Sequence, residues 1–230
     1  MIFNAGKINI DKLLNCVKLL NAVDRKIEFI SEEFIGIPYK KNSLIGSVHK
    51  KEELVVDFEG VDCMTFIEYV EALRLSSDFY SFIENLKTVR YFDGVVDFNK
   101  RRHFFTDWNK LKTVKNITSE LSKNIKGIIK EINKSKENLL VEGLDVKKRR
   151  INYIPLEFIE ETIPKLKTGD YCGFYTSKMG LDVDHVGIIV IKKEKIILRH
   201  ASSLKGFVTD EDFFDYIKSK KGIIVFRAKE

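Results

Sequence analysis

A chain of 230 residues that is 44% hydrophobic and 11% aromatic can bury a substantial core, and its length suits one domain spanning 1–230. Three prolines and 13 glycines exclude a low-complexity or largely disordered chain. The net charge of +6 admits nucleic acid, an anionic membrane or an anionic cell-wall polymer as partner, but lysine dominates the excess in short scattered runs, which reads as a solvated surface.

Three cysteines make no disulfide framework. Cys16 and Cys172 read as buried structural thiols. The absence of a Cys-x-x-Cys pair argues against structural zinc. The first residues, Met1 to Lys7, lack the basic flank and apolar run of a signal peptide. No stretch approaches the length of a membrane span, so the chain is expected to be soluble.

In chain order, residues 9–33 carry the apolar spacing of one or two amphipathic helices, and Gly36 and Pro38 end the pattern. Residues 40–60 read as a loop with a short apolar stretch at Leu54–Val56. An amphipathic helix then starts at Cys63, with Asp62 as its N-cap. A second helical piece covers Phe79–Leu86, followed by a strand-like Thr88–Arg90 and a turn at Tyr91–Gly94. An aromatic and basic cluster runs from Arg101 to Trp108. Residues 112–150 are the most polar and lysine-rich, ambiguous between strand and helix at Ile125–Lys130, and are assigned to an insertion or flap. From 151 the pattern turns to strands, at 151–154, 170–176, 184–191, 195–201 and 222–227, with a short helix at 211–218. Helices first and strands later is an α+β order, with an antiparallel sheet covered on one side.

The chemistry concentrates at three residues. A thiol on the first turn of a helix meets unpaired N–H groups and the positive end of the helix dipole, which favour the nucleophilic thiolate. Cys63 holds that position; its bland reading is a small buried hydrophobe. His185 opens an apolar strand, as a core histidine or as the general base for Cys63. Pairing the two histidine strands through the Lys192–Glu194 turn brings partners summing to about 386 opposite one another, which sets His200 near His185 in the orienting role of a triad. Gly187, on the same face as His185, leaves room beside the pair. A helix-borne cysteine with a strand-borne histidine is the papain-like layout. Two neighbouring histidines near Asp182 and Asp184 also keep a metal site open, but no further ligand completes a set, and neither metal nor cofactor is expected. Arg101, Arg102, His103 and Trp108 read equally as a surface patch with a buried tryptophan or as a groove for an anionic, sugar-bearing substrate. Arginines beside aromatics also suit single-stranded nucleic acid, but no module signature accompanies them and no nucleic-acid partner is expected. His49, in a polar loop, has no assigned role.

The ordered set Phe34–Tyr39, Leu54–Phe58, Val61–Glu68, Arg90-Tyr91, Gly94, Arg102–Phe104, Asp107-Trp108, Gly169-Asp170, Gly180–Ile188, His200–Ser202 and Gly222–Arg227 resembles the N-acetylmuramoyl-L-alanine amidase-like family, among the NlpC-type, papain-like cell-wall hydrolases. The resemblance implies a papain-like α+β fold in which N-terminal helices pack on an antiparallel, partly barrel-like sheet. It implies Cys63 as nucleophile, His185 as base, His200 as orienting residue and Tyr39 at the oxyanion, with Arg102, His103, Asp107 and Trp108 at the substrate. The implied substrate is peptidoglycan or a muropeptide, cut at the muramoyl–L-alanine amide, with a stem-peptide endopeptidase or a non-catalytic wall-binding module as alternatives. Members of the family are commonly exported, and this chain shows no signal, so its compartment is left open. Its oligomeric state and the role of 112–150 are also not implied.

Overall fold

The computed structural model describes all 230 residues. The N-terminal half begins with β1 (Ile2–Asn4), α1 (Ile10–Val17) and α2 (Val23–Glu33), so residues 9–33 form two helices. A hairpin of β2 (Ile45–Ser47) and β3 (Lys50–Glu53) follows, then β4 (Val55–Asp57), which pairs in parallel with β1. The expected loop at 40–60 therefore holds three short strands. Helices α3 (Cys63–Arg74) and α4 (Phe79–Arg90) come next. α4 absorbs the strand-like Thr88–Arg90: the Thr88 hydroxyl donates to the Glu84 carbonyl at 3.1 Å, one helical turn back, and Val89 is buried. A β-branched pair yields to helix continuation where the helix already has a buried face. Short 3-10 segments carry the chain through Phe92–Lys110, with Asp93 and Gly94 both at positive φ.

The C-terminal half is strand β5 (Val114–Asn116), helix α5 (Thr118–Leu121), β6 (Lys126–Ile132), β7 (Lys147–Pro155), a 3-10 segment Leu156–Lys165, β8 (Tyr171–Tyr175), β9 (Val183–Lys192), β10 (Lys195–Ser202), β11 (Phe207–Asp212), helix α6 (Phe213–Ile217) and β12 (Gly222–Ala228). The sheet runs β11-β10-β9-β8-β12-β7-β6, with β5 also on β12, and every pairing within it is antiparallel. It ends at β11 and β6, which do not pair, so it is open and does not close into a barrel. The 112–150 segment is built into this sheet: β5 lies on β12, and β6 with β7 forms its far edge. Strand β11 was not expected. It takes Glu211 and Asp212 away from the anticipated helix at 211–218, which starts only at Phe213 with Asp212 as cap.

The sheet is covered on both faces, not one. Along β8 every residue is buried; Tyr171 and Tyr175 face a cluster shared with the helices, while Cys172 and Phe174 face a smaller cluster with Phe213, Ile217 and Ile159. Alternation between two apolar environments is the period-2 consequence of a doubly covered strand. Cys172 is buried as expected, whereas Cys16 is only half-buried beside the apolar stripe of α1.

Helix α3 is the hub, packed on α2, α4, β9 and β10. Phe66, Ile67, Tyr69, Val70, Ala72 and Leu73 are all buried, and each large apolar side chain of this kind contributes about 1.5–3 kcal/mol. The same helix buries Glu68 and Glu71, which demands counter-charges. Arg90 of α4 meets Glu68 at 2.7 Å and also donates to the Val55 carbonyl, while Glu71 pairs with Arg74 and accepts the Tyr171 hydroxyl of β8. These bonds tie α3 to α4, β4 and the sheet, and so fix where its first residue points.

Candidate active site

Cys63 is the first residue of α3. The Asp62 carboxylate accepts the Thr65 N–H at 2.8 Å and the Thr65 hydroxyl accepts the Asp62 N–H at 2.9 Å, a reciprocal capping box that locks the first turn. The Cys63 N–H lies in this first turn, where backbone donors lack intrahelical partners. The thiol is half-buried. Burial, followed by the neighbouring Asp62 carboxylate, pushes it up to about 12, although N–H groups of Val186, Met64 and Cys63 itself pull the other way. A helix N-terminus is worth up to about 2 kcal/mol, whereas a rise of this size corresponds to roughly 4 kcal/mol. Burial outweighs the helix end and favours the thiol, in contrast to the thiolate expected from the helix end alone.

The Val186 contact sets the sulfur beside β9, one residue from His185. The β9–β10 hairpin turns through Lys193 at φ 56°, and its register pairs Arg199 with Ile188 and Ile197 with Val190. Partners therefore sum to 387 rather than about 386, so His200 stands diagonal to His185 on one face. Their side chains meet: His185 Nε2 and His200 Nδ1 are 2.7 Å apart with the rings nearly perpendicular at 88°. Gly187 makes this possible. A Cβ there would fall 2.6 Å from Leu198 Cδ1 and 3.0 Å from His200 Cβ.

The far nitrogen of His200, Nε2, lies 2.8 Å from Oε1 of Glu211 on β11. This carboxylate sets the tautomers of the whole chain. His200 Nε2 donates to Glu211, so His200 Nδ1 accepts from His185 Nε2–H, which leaves His185 Nδ1 with a lone pair. Sequence reading missed Glu211, because its strand was read as helix. The signal was the Ser202–Phe207 turn, whose pairing of Thr209 with His200 puts Glu211 two residues along on the same face. Tyr216 of α6 closes over both imidazoles, with ring centroids 5.8 Å from His185 and 5.0 Å from His200. Lys220 sits over the Tyr216 ring and pairs with Asp184 at 3.2 Å. Burial, with the neighbouring His200 and Lys220 behind it, holds His185 down to about 3. Burial likewise lowers His200, with Glu211 opposing it. Both imidazoles are neutral at physiological pH, and no hydrogen bond joins Cys63 to either.

Tyr39 is half-buried on the segment before α3, bridged to Val61. Its phenol is raised by burial and then by Cys63 and Asp62, which places it in the field of the thiol. The other expected substrate residues are committed to the protein itself. Arg102 is buried and donates to the Thr88 and Val89 carbonyls at the end of α4, a cationic C-cap. Asp107 accepts from Arg149 at 2.6 Å and from the Phe104 N–H. Trp108 is fully buried against Tyr171 and Phe226. His103, half-buried, bonds the Phe98 carbonyl at 2.8 Å. None of the four is bonded to Cys63, His185 or His200. Asp182 receives the Thr106 and Val183 N–H groups and Asp184 pairs with Lys220; neither joins the histidines in a ligand cluster.

A family model described as N-acetylmuramoyl-L-alanine amidase-like (AmiA-like) matches residues 29–223, which include Cys63, His185, His200 and Glu211. The chain belongs to that family. Among solved structures, an N-acetylmuramoyl-L-alanine amidase from Bacteroides uniformis is similar at 26% identity and TM-score 0.76, over 90% of this chain and 99% of that one. A protein from Legionella pneumophila, described by a domain of unknown function, matches at TM-score 0.81 over 96% and 93% of the two chains; its 21% identity speaks to the fold alone. A putative xylanase from Bacteroides fragilis matches at 28% identity and TM-score 0.71, over 86% and 98%. No curated protein sequence matches.

Proposed function

We propose that this protein is a papain-like (NlpC-type) cysteine amidase that cuts the N-acetylmuramoyl–L-alanine amide of peptidoglycan or muropeptides. The observation that carries the reading is the line from Glu211 through His200 to His185, one residue from the Val186 N–H that faces the Cys63 sulfur on the first turn of α3. Family membership supplies the substrate class. The similar structure named a putative xylanase does not redirect the reading: glycoside hydrolysis uses two carboxylates across the bond, whereas here Glu211, the one carboxylate bonded to the histidine pair, is held on His200.

His185 Nδ1 takes the thiol proton as Cys63 Sγ attacks the lactyl carbonyl carbon. Thiol and imidazole are both neutral at rest, so proton transfer accompanies attack rather than preceding it as an ion pair. The Cys63 N–H and the Tyr39 hydroxyl hold the oxyanion. Collapse breaks the C–N bond, and the L-alanine nitrogen leaves with the proton from His185. Water then attacks the thioester, gives its proton to His185 Nδ1, and releases the carboxylic acid while the proton returns to sulfur. Throughout, His200 and Glu211 keep His185 in the reactive tautomer and stabilise the positive charge it gains.

Mass spectrometry of muropeptides after incubation with wild type and Cys63→Ala tests this. The expected products are free stem peptides beginning at L-alanine, made only by wild type. Cuts within the stem would move the assignment to an endopeptidase, and equal products from both proteins would remove Cys63 from the mechanism.

A further inference from the structure

The net charge is not spread over the molecule. Residues 123–150 hold nine Lys and Arg against four Asp and Glu, a net +5 out of the chain's +6. These residues are the three that lead into β6, β6 itself, the long turn after it and β7 up to Arg150. Some of the cations have local roles: Lys126 and Lys134 pair with Glu157 and Glu131, Arg149 with Asp107, and Lys130 is buried against the Thr176 and Lys178 carbonyls. The remaining five, Lys123, Lys136, Lys147, Lys148 and Arg150, are exposed and make no salt bridge. Lysines often guard the free edge of a sheet against pairing. That does not explain these, because Lys147, Lys148 and Arg150 lie on β7, which has β6 on its outer side. Lys148 and Arg150 share one face of β7 and Lys147 lies on the other; Ile129, opposite Arg150, is 69% exposed.

The arm is joined to the candidate active site. The Lys130 ammonium donates at 2.7 Å to each of two carbonyls of the β8–β9 connection, and the Asn133 N–H donates to the Gly180 carbonyl at 2.9 Å. That connection leads directly into Val183 and His185, and Lys178 on it lines the groove at His185 and His200. Four strand steps separate β9 from β6, a span on the order of 20 Å. A polymer of several repeats is long enough to span that distance; a small fragment is not.

We propose that the β6–β7 arm is a docking surface for the intact glycan–peptide polymer, and that its unpaired cations hold free carboxylates of stem peptides neighbouring the one at Cys63. This rests on the amidase reading for its choice of polyanion: stem peptides carry several free carboxylates, and cations on a repeating polyanion act together. The connection to the histidine loop favours the enzyme's own substrate over nucleic acid or lipid.

The test is co-sedimentation with purified sacculi in a Cys63→Ala background, so that binding is read without turnover. The arm variant is Lys147→Gln, Lys148→Gln and Arg150→Gln together. The control removes three exposed lysines elsewhere, as Lys12→Gln, Lys193→Gln and Lys195→Gln. Thermal melts accompany both. The expected result is affinity for sacculi weakened roughly tenfold or more by the arm variant, little change in the control, and a flatter salt dependence only in the former. Equal effects of the two variants would overturn the proposal. Arm-dependent binding to an oligonucleotide or to phosphatidylserine vesicles, with sacculus binding unchanged, would also overturn it and name the other partner. Failure of the amidase reading shows separately, as wild type leaving muropeptides uncut, while sedimentation still reports on the arm.

Discussion

Glu211→Gln isolates the tautomer argument. In the wild type the carboxylate oxygen is 2.8 Å from His200 Nε2, and it can only accept, so every proton along the line to His185 is fixed. A glutamine amide presents either oxygen or NH2 to the same nitrogen. With NH2 donating, His200 carries its proton on Nδ1, must donate to His185 Nε2, and drives the His185 proton onto Nδ1, where it blocks the thiol. A hydrogen bond to a charged group is worth about 1.5–3 kcal/mol, so kcat/KM on a soluble muropeptide is expected to fall roughly 10- to 100-fold. The fold is expected to survive, since the Glu211 side chain is 25% exposed. The pH profile carries the sharper sign. Burial lowers His200 and Glu211 opposes that, so the variant's His200 is lower still. Neutral His200 is the working form, because only then does Nδ1 accept. Activity falls, yet its acid limb moves to lower pH. Full activity at neutral pH, or an acid limb moved upward, would refute the chain of tautomers.

Two further outcomes follow from the same geometry. Alkylation of Cys63 by iodoacetamide is expected to accelerate steadily from pH 6 to 9 without a plateau, because burial holds the thiol up to about 12; a rate already level at pH 6 would show a preformed thiolate–imidazolium pair. Gly187→Ala places a methyl group 2.6 Å from Leu198 Cδ1 and 2.9 Å from the Arg199 carbonyl oxygen. Overpacking of this kind costs about 1–3 kcal/mol. A lowered melting temperature and a loss of kcat exceeding any change in KM are expected, while wild-type values for both would mean that His200 does not need the space.

Local signals in the sequence were enough for the parts of the site that depend on neighbours along the chain. Asp62 followed by an apolar-periodic run marks a helix start, and the capping box with Thr65 realises it. Two apolar strands flanking a short polar turn bring His185 and His200 close, but a register sum of 386 would set His200 opposite Val186, on the other face; the observed sum of 387 puts both rings on one face, with their nitrogens 2.7 Å apart. What failed did so where distant groups decide. Thr88–Arg90 looks like strand until Arg90 is needed against Glu68 from inside a helix. Arg102 and Trp108 read equally as a patch with a buried tryptophan or as a ligand groove, and only the end of α4 and the Tyr171 ring show what holds them.

By itself, then, the sequence determined the helix that presents Cys63, the strands that present the histidines and the α+β order, since capping, periodicity and turn chemistry act over a few residues. Only the tertiary structure decided that Glu211 completes the line, that the sheet stays open with both faces covered, and that burial pushes the Cys63 thiol up. Each of these depends on which side chains meet across strands far apart in the chain, and on how much water that packing removes.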